Sequence, residues 1–155
     1  MQALCRRYAA DLIINDDVEL AANIDADGVH VGIDDWALAD ARARLGPDRI
    51  IGVSCYDQLA RGRATASCGA DYIAFGSFFA SSVKPAAVRA PLSLLREARA
   101  FGRPLVAIGG ITLENARQLI DAGADAVAVI SALFDVADPA NSARGFCQLF
   151  EAQIA

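Results

Sequence analysis

Carboxylates and an amide stand at two points where short apolar runs of this sequence end. The residues are Asn15 and Asp16 after the run at 12–14, and Asp34 and Asp35 just beyond the run at 28–31. Oxygen ligands of this kind suit Mg2+, which commonly takes one or two protein carboxylates and fills its shell with water and phosphate oxygens. The alternative is that Asp16, Asp17 and Asp35 cap the first turns of helices, as carboxylates do well.

The chain has a single lysine, Lys84, against thirteen arginines, and it lies in a long polar loop. With Ser81 and Ser82 beside it, the loop offers hydroxyls, backbone donors and a cation, a combination that suits anionic oxygens. A solvated loop lysine is the alternative. Ser54 and Ser131, each directly after an apolar run, are candidate hydroxyl donors or helix caps.

Six apolar runs of strand length punctuate the chain, and a helical stretch follows each. The runs are Leu12–Ile14, Gly28–Val31, Ile50–Val53, Tyr72–Phe75, Leu105–Ile108 and Ala126–Ile130. They are continuously apolar, which favours a parallel sheet covered on both faces. In a parallel βα array the carboxyl ends of all strands lie on one face, so the polar groups above would meet there.

Six helices are predicted, one after each of these strands. They cover 17–24, 35–45, 57–67, 92–101, 113–122 and 139–152, while residues 1–10 read as the end of a further helix and 76–91 as a long loop. An Ala-Asp pair precedes three of the strands, at Asp27, Asp71 and Asp125. Such repetition indicates reuse of one βα unit, although a shared turn chemistry would also produce it.

The position of the glycine pairing favours a barrel over an open doubly wound sheet. A Rossmann sheet would carry Gly-x-Gly-x-x-Gly after its first strand, whereas Gly109 and Gly110 come late. Gly109 and Gly110, together with Ile130 and Ser131 after the last strand, match the phosphate site that TIM barrels often form from the loops after strands 7 and 8. We expect residues 1–155 to form a single domain of the (β/α)8 TIM-barrel fold. Complete barrels need roughly 200 residues or more, so about two βα units are expected to be missing, and the six strands would be strands 3–8 of the barrel.

Composition excludes several classes of protein. A net charge of −5 and a pI near 4.7 argue against nucleic-acid binding. No apolar run approaches the roughly 18 residues of a membrane span, and the amino terminus has no secretory pattern, so a cytoplasmic location is expected. The four cysteines form no metal or disulfide pattern and are expected to be reduced and mostly packed. His30, between two valines, is expected to be a core or supporting residue.

These strand-end motifs, taken in order, resemble those of thiamine phosphate synthase, a family of (β/α)8 enzymes. The matching stretches, one for each strand end, are 12–16, 29–32 with Asp34 and Asp35, 52–55, 75–79 together with 81–85, 108–112 and 129–132. Each motif is weak alone, but six in register are fairly specific. The resemblance implies condensation of 4-amino-2-methyl-5-(diphosphooxymethyl)pyrimidine with 4-methyl-5-(2-phosphooxyethyl)thiazole to thiamine phosphate and pyrophosphate.

The resemblance also implies roles for individual residues. Asp16 and Asp35 would hold Mg2+, which bridges the diphosphate. The diphosphate itself would be contacted by Asn15, Ser54 and Lys84, and the thiazole phosphate by Ser81, Ser82, Val83, Gly110, Ile130 and Ser131. Lys84 and Ser54 are the catalytic candidates, because pyrophosphate leaves to give a pyrimidinylmethyl cation and charge builds on the leaving group.

The sequence departs from the family pattern in three places. Ile33 stands where Gln is common, Val83 stands where a second Thr is usual, and the early Gln-x-Arg-x-Lys strand is absent from residues 1–155. Two other functional hypotheses stay open. One is a thiazole tautomerase-like barrel, against which Ser77 argues because those enzymes carry His near this position. The other is a non-catalytic phosphate-binding domain that needs a separate chain to complete its barrel. Oligomerisation through exposed apolar strand edges would favour this hypothesis or simple truncation.

Overall fold

The computed structural model describes residues 1–33, 37–80 and 88–151. Its strands are β1 Ile13–Asn15, β2 Gly28–Val31, β3 Ile50–Tyr56, β4 Tyr72–Phe75, β5 Leu105–Ile108 and β6 Ala126–Ala128. Its helices are α1 Gln2–Arg7, α2 Val18–Asn23, α3 Leu38–Leu45, α4 Leu59–Ser67, α5 Ser93–Ala98, α6 Leu113–Ala122, α7 Ser131–Phe134 and α8 Pro139–Glu151. A 3-10 turn, Arg99–Phe101, extends α5.

All six strands pair in parallel and in chain order, from β1 to β6. This arrangement confirms the predicted partial (β/α) barrel. It also brings the carboxyl ends of the strands to one rim, which we call the strand-end rim. Three strands, β2, β4 and β5, and the helix α6 have the predicted bounds.

The other three predicted strands have different bounds. β1 is shifted by one residue, to Ile13–Asn15 in place of Leu12–Ile14. β3 runs on to Tyr56 with a bulge between Ser54 and Tyr56, so Ser54 lies inside the strand and is not a helix cap. β6 stops at Ala128, because the chain turns there into α7, which the sequence analysis did not predict. The α7 helix is only one turn long and has no apolar periodicity of its own to reveal it.

Burial differs between the strands: three successive residues of β4, Ile73, Ala74 and Phe75, are buried, whereas burial alternates along β5. In β5, Leu105 and Ala107 are fully buried beneath helices, while Val106 and Ile108 are half-buried on the opposite face. Residues on both faces of the central strand β4 are therefore buried, as expected for a sheet covered on both faces, whereas one face is only half-buried at β5.

The three Ala-Asp repeats form the same backbone clamp. Asp125 donates its N–H to the carbonyl of Leu105 at 2.9 Å, and its Oδ2 accepts the N–H of the same residue at 2.8 Å. The other two clamps join Asp27 to Leu12 and Asp71 to Ile51. Each clamp ties the start of one strand to the turn before the next, so the repeat has a structural role at the amino ends of the strands.

Among the described residues, no helix combines the length and the apolar character that a membrane span requires. The four cysteines are free, as predicted, but only Cys55 is buried, while Cys68 and Cys147 are exposed. Burial raises the pKa of the Cys55 thiol, which makes it a core residue rather than a nucleophile.

Candidate active site

The end of β1 holds the first predicted pair. Asn15 Nδ2 donates to Asp16 Oδ2 at 2.6 Å, and the Asp16 N–H donates to the carbonyl of His30 on β2 at 2.8 Å. The next residue, Asp17, accepts the N–H of Leu20 at 2.8 Å and caps α2. The capping role therefore belongs to Asp17, and Asp16 is fixed at the exposed strand-end rim.

Asp16 adopts a left-handed backbone conformation, with φ of 66°. This conformation costs a non-glycine residue free energy of about 1–3 kcal/mol, although aspartate tolerates it better than most. Such strain persists only where the surroundings impose it, and it is frequent at functional sites. It supports a functional role for the Asp16 carboxylate.

The donor set at this rim is compatible with Mg2+ as far as it is described. Asp16 offers hard oxygen atoms in an exposed position, as a cation that keeps water and phosphate ligands requires. Its predicted partner Asp35 lies outside the described residues, as does Asp34. Within the described ranges no three or more His, Cys, Asp and Glu side chains are grouped to hold a metal ion.

Ser54 is held by a histidine. Its Oγ lies 2.8 Å from His30 Nε2, and His30 Nδ1 lies 2.9 Å from the phenol oxygen of Tyr72. The three side chains come from β3, β2 and β4 in turn, and all are half-buried. His30 is thus a supporting residue, as expected. Burial raises the pKa of Tyr72 to about 12, so its phenol keeps its proton at neutral pH.

Arg61 closes the tops of two strands. From α4, its Nε donates to the carbonyl of Ser54 at 2.9 Å and its Nη2 donates to the carbonyl of Gly32 at 3.2 Å. The guanidinium therefore fixes the backbone of β3 and of the turn that follows β2. It also brings a positive charge to the rim between Ser54 and the turn that leads to Asp34.

The turn after β5 passes directly beneath the segment after β4. Gly110 has φ of 64°, and a Cβ at this position would lie 2.2 Å from the carbonyl oxygen of Ala80, so only glycine fits. Asn115 Nδ2 holds the Gly110 carbonyl at 3.0 Å. Within the described residues, the N–H of Gly110 has no backbone acceptor and is available to an anion.

The turn after β6 contains Ile130 and Ser131 and lies next to the turn after β5, which contains Gly110. Ile130 precedes α7 and is exposed, and Ser131 is the first residue of that helix. Because β5 and β6 are neighbours in the sheet, Gly110 and Ser131 follow the ends of adjacent strands. The remaining predicted site residues, Ser81, Ser82, Val83 and Lys84, lie outside the described residues.

Two open grooves, of about 340 and 380 Å3, lie at the opposite end of the sheet. They surround Gly102 and Arg103 near the start of β5 and include Arg63 and Arg99. In βα barrels this end contributes to stability, while catalysis occurs at the carboxyl ends. We therefore assign the candidate site to the strand-end rim.

Sequence reasoning missed Tyr72 and Arg61 as members of the rim. Nothing in the sequence distinguishes Arg61 from the other arginines. Tyr72 had one available signal, since Gly52 interrupts an apolar strand, and an interior glycine often marks a close approach by another group. A Cβ on Gly52 would lie 1.9 Å from Tyr72 Cζ.

A parallel sheet in chain order, with helices between its strands and polar groups at its strand-end rim, defines a protein of the (β/α)-barrel class. Residues 1–133 match the sequence profile described as thiamine monophosphate synthase. The chain belongs to the thiamine monophosphate synthase family.

Individual relatives agree with this assignment. The chain is 63% identical over 147 residues to a thiamine-phosphate synthase of Methylobacillus flagellatus, covering 95% of this chain and 70% of the relative. It is 56% identical over 151 residues to one from an Azoarcus species, covering 97% and 73%. A thiamine phosphate pyrophosphorylase structure from Pyrococcus furiosus superposes with a TM-score of 0.88 at 33% identity, covering 99% of this chain and 74% of that one.

Proposed function

We propose that this chain is a thiamine phosphate synthase, a transferase of a pyrimidinylmethyl group. Its substrates would be 4-amino-2-methyl-5-(diphosphooxymethyl)pyrimidine and 4-methyl-5-(2-phosphooxyethyl)thiazole, and its products thiamine phosphate and pyrophosphate. The observation that carries the proposal is the 63% identity to a thiamine-phosphate synthase over 95% of this chain. The placement of Asn15, Asp16, Ser54, Gly110 and Ser131 along one rim supports it.

The reaction needs charge stabilisation and no protein nucleophile. The bond between the pyrimidinylmethyl carbon and the diphosphate oxygen breaks, and its electron pair leaves with pyrophosphate. The thiazole nitrogen then donates its lone pair to the resulting cation and forms the new C–N bond. Donors aimed at the departing pyrophosphate lower this barrier, and preorganised groups of this kind often supply the largest share of catalysis.

The diphosphate would bind at the ends of β1 and β3. Ser54 would donate its hydroxyl and Asn15 its amide, with Lys84 as the cation from the loop after β4. Mg2+ held by Asp16 and Asp35 would neutralise charge on the leaving group. The bond from Asn15 to Asp16 and the bond from His30 to Ser54 keep two of these side chains in place.

The thiazole phosphate would bind at the ends of β5 and β6. The Gly110 N–H and the Ser131 hydroxyl would donate to its oxygens, with Ile130 beside them and with Ser81, Ser82 and Val83 contributed by the loop after β4. A tautomerase-like activity is less well supported, because Ser77 stands in place of a histidine and its hydroxyl donates to the carbonyl of Phe79 at 2.7 Å. A non-catalytic phosphate-binding barrel is the remaining alternative.

The proposed function extends to the domain, its cellular location and its partners. Residues 1–155 would form one domain equivalent to strands 3–8 of the eight-stranded barrel. The protein would act in the cytoplasm on small molecules, without nucleic acid or membrane, and would be able to form a homo-oligomer.

The test is formation of thiamine phosphate from both substrates and Mg2+ by the 155-residue chain. Ser54→Ala should lower the rate by about 10-fold or more, because a hydrogen bond to a charged group is lost. Ser67→Ala is the matched control, since that hydroxyl donates to the Arg63 carbonyl on the exposed side of α4 and the rate should not change. Binding of thiazole phosphate without product formation or pyrophosphate binding would contradict the proposal and favour a non-catalytic barrel.

A further inference from the structure

Three residues in one row of the sheet assemble the support for Ser54. His30 on β2 pairs with Gly52 on β3, which pairs with Tyr72 on β4. The tyrosine ring lies over Gly52, in the space that a side chain there would occupy, and stacks beside the imidazole with centroids 5.6 Å apart and planes inclined by 15°. The missing side chain at Gly52 is therefore what lets Tyr72 reach His30 across an intervening strand.

The phenol proton of Tyr72 has one acceptor within the described residues. Its oxygen lies 2.9 Å from His30 Nδ1, and no other hydrogen bond of this phenol is formed in the described ranges. Burial raises the pKa of Tyr72 to about 12, so the proton is present at neutral pH. Donation from Tyr72 to Nδ1 gives this half-buried proton an acceptor, and leaving it without one would be costly.

Donation to Nδ1 determines the rest of the chain of hydrogen bonds. An imidazole that accepts at Nδ1 carries its proton on Nε2 and donates from it. Nε2 lies 2.8 Å from Ser54 Oγ, so the serine oxygen accepts this bond. The hydroxyl proton of Ser54 then cannot point at the imidazole and must be donated elsewhere.

We propose that Tyr72 and His30 are positioning residues that set the direction of the Ser54 hydroxyl, in the order Tyr72 O–H to His30 Nδ1 and His30 Nε2–H to Ser54 Oγ. The Ser54 proton is thereby donated to an anionic oxygen of the ligand at the strand-end rim. This inference rests on the proposed function for the identity of that ligand, the diphosphate. With the opposite direction of these hydrogen bonds, Ser54 would donate its proton to His30 Nε2. A lone pair of the serine oxygen would then face the anion.

The tautomer of His30 can be measured directly. His30 is the only histidine in the chain, so labelling histidine with 15N gives one imidazole in a two-dimensional 1H–15N spectrum. We expect the proton on Nε2 alone in the wild-type chain. In Tyr72→Phe, which keeps the ring over Gly52 but removes the donor, a population with the proton on Nδ1 should appear.

The effect on the ligand is tested with inorganic pyrophosphate and Mg2+ by calorimetry. Tyr72→Phe should weaken pyrophosphate binding by about 3- to 10-fold, the size of one hydrogen bond. In a Ser54→Ala background the same change should have no further effect, because Tyr72 acts only through Ser54. Tyr8→Phe, at an exposed tyrosine next to α1, is the matched control. His30→Gln, which can accept with one atom and donate with another, should retain more binding than His30→Leu.

The outcomes separate this inference from the proposed function. A proton on Nδ1 of wild-type His30 overturns the inference whatever the activity. Additive effects of Tyr72→Phe and Ser54→Ala also overturn it, because they would mean that Tyr72 does not act through the serine. A wild-type chain that shows the expected tautomer but binds no pyrophosphate contradicts the proposed function, and with it the donation from Ser54 to a diphosphate.

Discussion

Gly52 and Asp16 show how single residues prepare this rim for an anion. The absent side chain at Gly52 admits the ring of Tyr72, and the ring completes the support of Ser54. Asp16 holds a backbone conformation that most residues avoid, and its N–H is bonded to the strand next to it. Gly52 contributes no side chain to packing, and Asp16 adopts an unfavourable backbone conformation. In both cases a polar group is placed at the strand-end rim.

Asp16→Asn tests the metal assignment. Asparagine has the same shape and also tolerates a left-handed backbone, so the fold should be kept while the charge is removed. Pyrophosphate binding in the presence of Mg2+ should weaken by about 10-fold or more, because a carboxylate ligand is lost. Thiazole phosphate binding should stay within about twofold of wild type. Both affinities can be measured by calorimetry.

Asp17→Asn is the matched control for that experiment. It removes the same charge one residue away, and asparagine caps a helix as well as aspartate does. We expect it to leave both affinities unchanged. Equal loss of pyrophosphate and thiazole phosphate binding in Asp16→Asn would refute the assignment of Asp16 to the metal.

At the level of elements, the three aspartate clamps explain a repeat that is visible in the sequence. Each clamp satisfies both the N–H and the carbonyl of one residue at the start of β1, β3 or β5. It therefore fixes the register between an odd-numbered strand and the strand after it. Asp71 has an additional partner, because Arg42 Nη2 lies 2.6 Å from its carboxylate.

Asp125→Ala tests the clamp in its simplest form, since Asp125 has no ion pair in the described ranges. The change leaves the N–H of the buried Leu105 without its acceptor and should lower the free energy of unfolding by about 1–3 kcal/mol. Asp125→Asn keeps an oxygen acceptor and should cost less. Urea denaturation measures both. Asp121→Ala, which breaks only the exposed pair with Arg117, should cost at most about 0.5 kcal/mol, and a similar loss in Asp125→Ala would argue against the clamp.

At the scale of the whole molecule, the sheet has two edges among the described residues. β1 pairs only with β2 and β6 only with β5. Large apolar side chains are exposed in the segments that precede β1 and follow β6, at Leu4, Tyr8, Ile130 and Phe134. The chain spans about 70% to 74% of the length of the relatives compared with it.

We expect the 155-residue chain to associate with itself as its concentration rises. Unpaired strand edges and exposed apolar side chains are templates for contacts between copies. Sedimentation velocity over a hundredfold range of concentration measures this, and Phe134→Lys should shift the distribution towards monomer. Glu97→Lys, on an exposed face of α5, is the control for the added charge. A monomer at every concentration would contradict the prediction.

The sequence by itself determined the strands, the order of the units and the family. Continuous apolar runs of four residues leave little freedom in where β2, β4 and β5 begin and end, and the strand-end motifs follow them directly. These features are local, so spacing along the chain was enough to find them. The same spacing placed Asn15, Asp16 and Gly110 at the ends of their strands.

Only the tertiary structure decided which side chains meet at the rim. Tyr72 is 42 residues from His30, and His30 is 24 residues from Ser54. Their contacts depend on the register of three strands, which the spacing of residues within any one segment does not reveal. Arg61 likewise reaches the rim only because α4 packs against β3 and β4. The sequence was enough to predict which residues follow the strand ends. Only the packing of the strands determined that the Ser54 hydroxyl is held by His30 and, through it, by Tyr72.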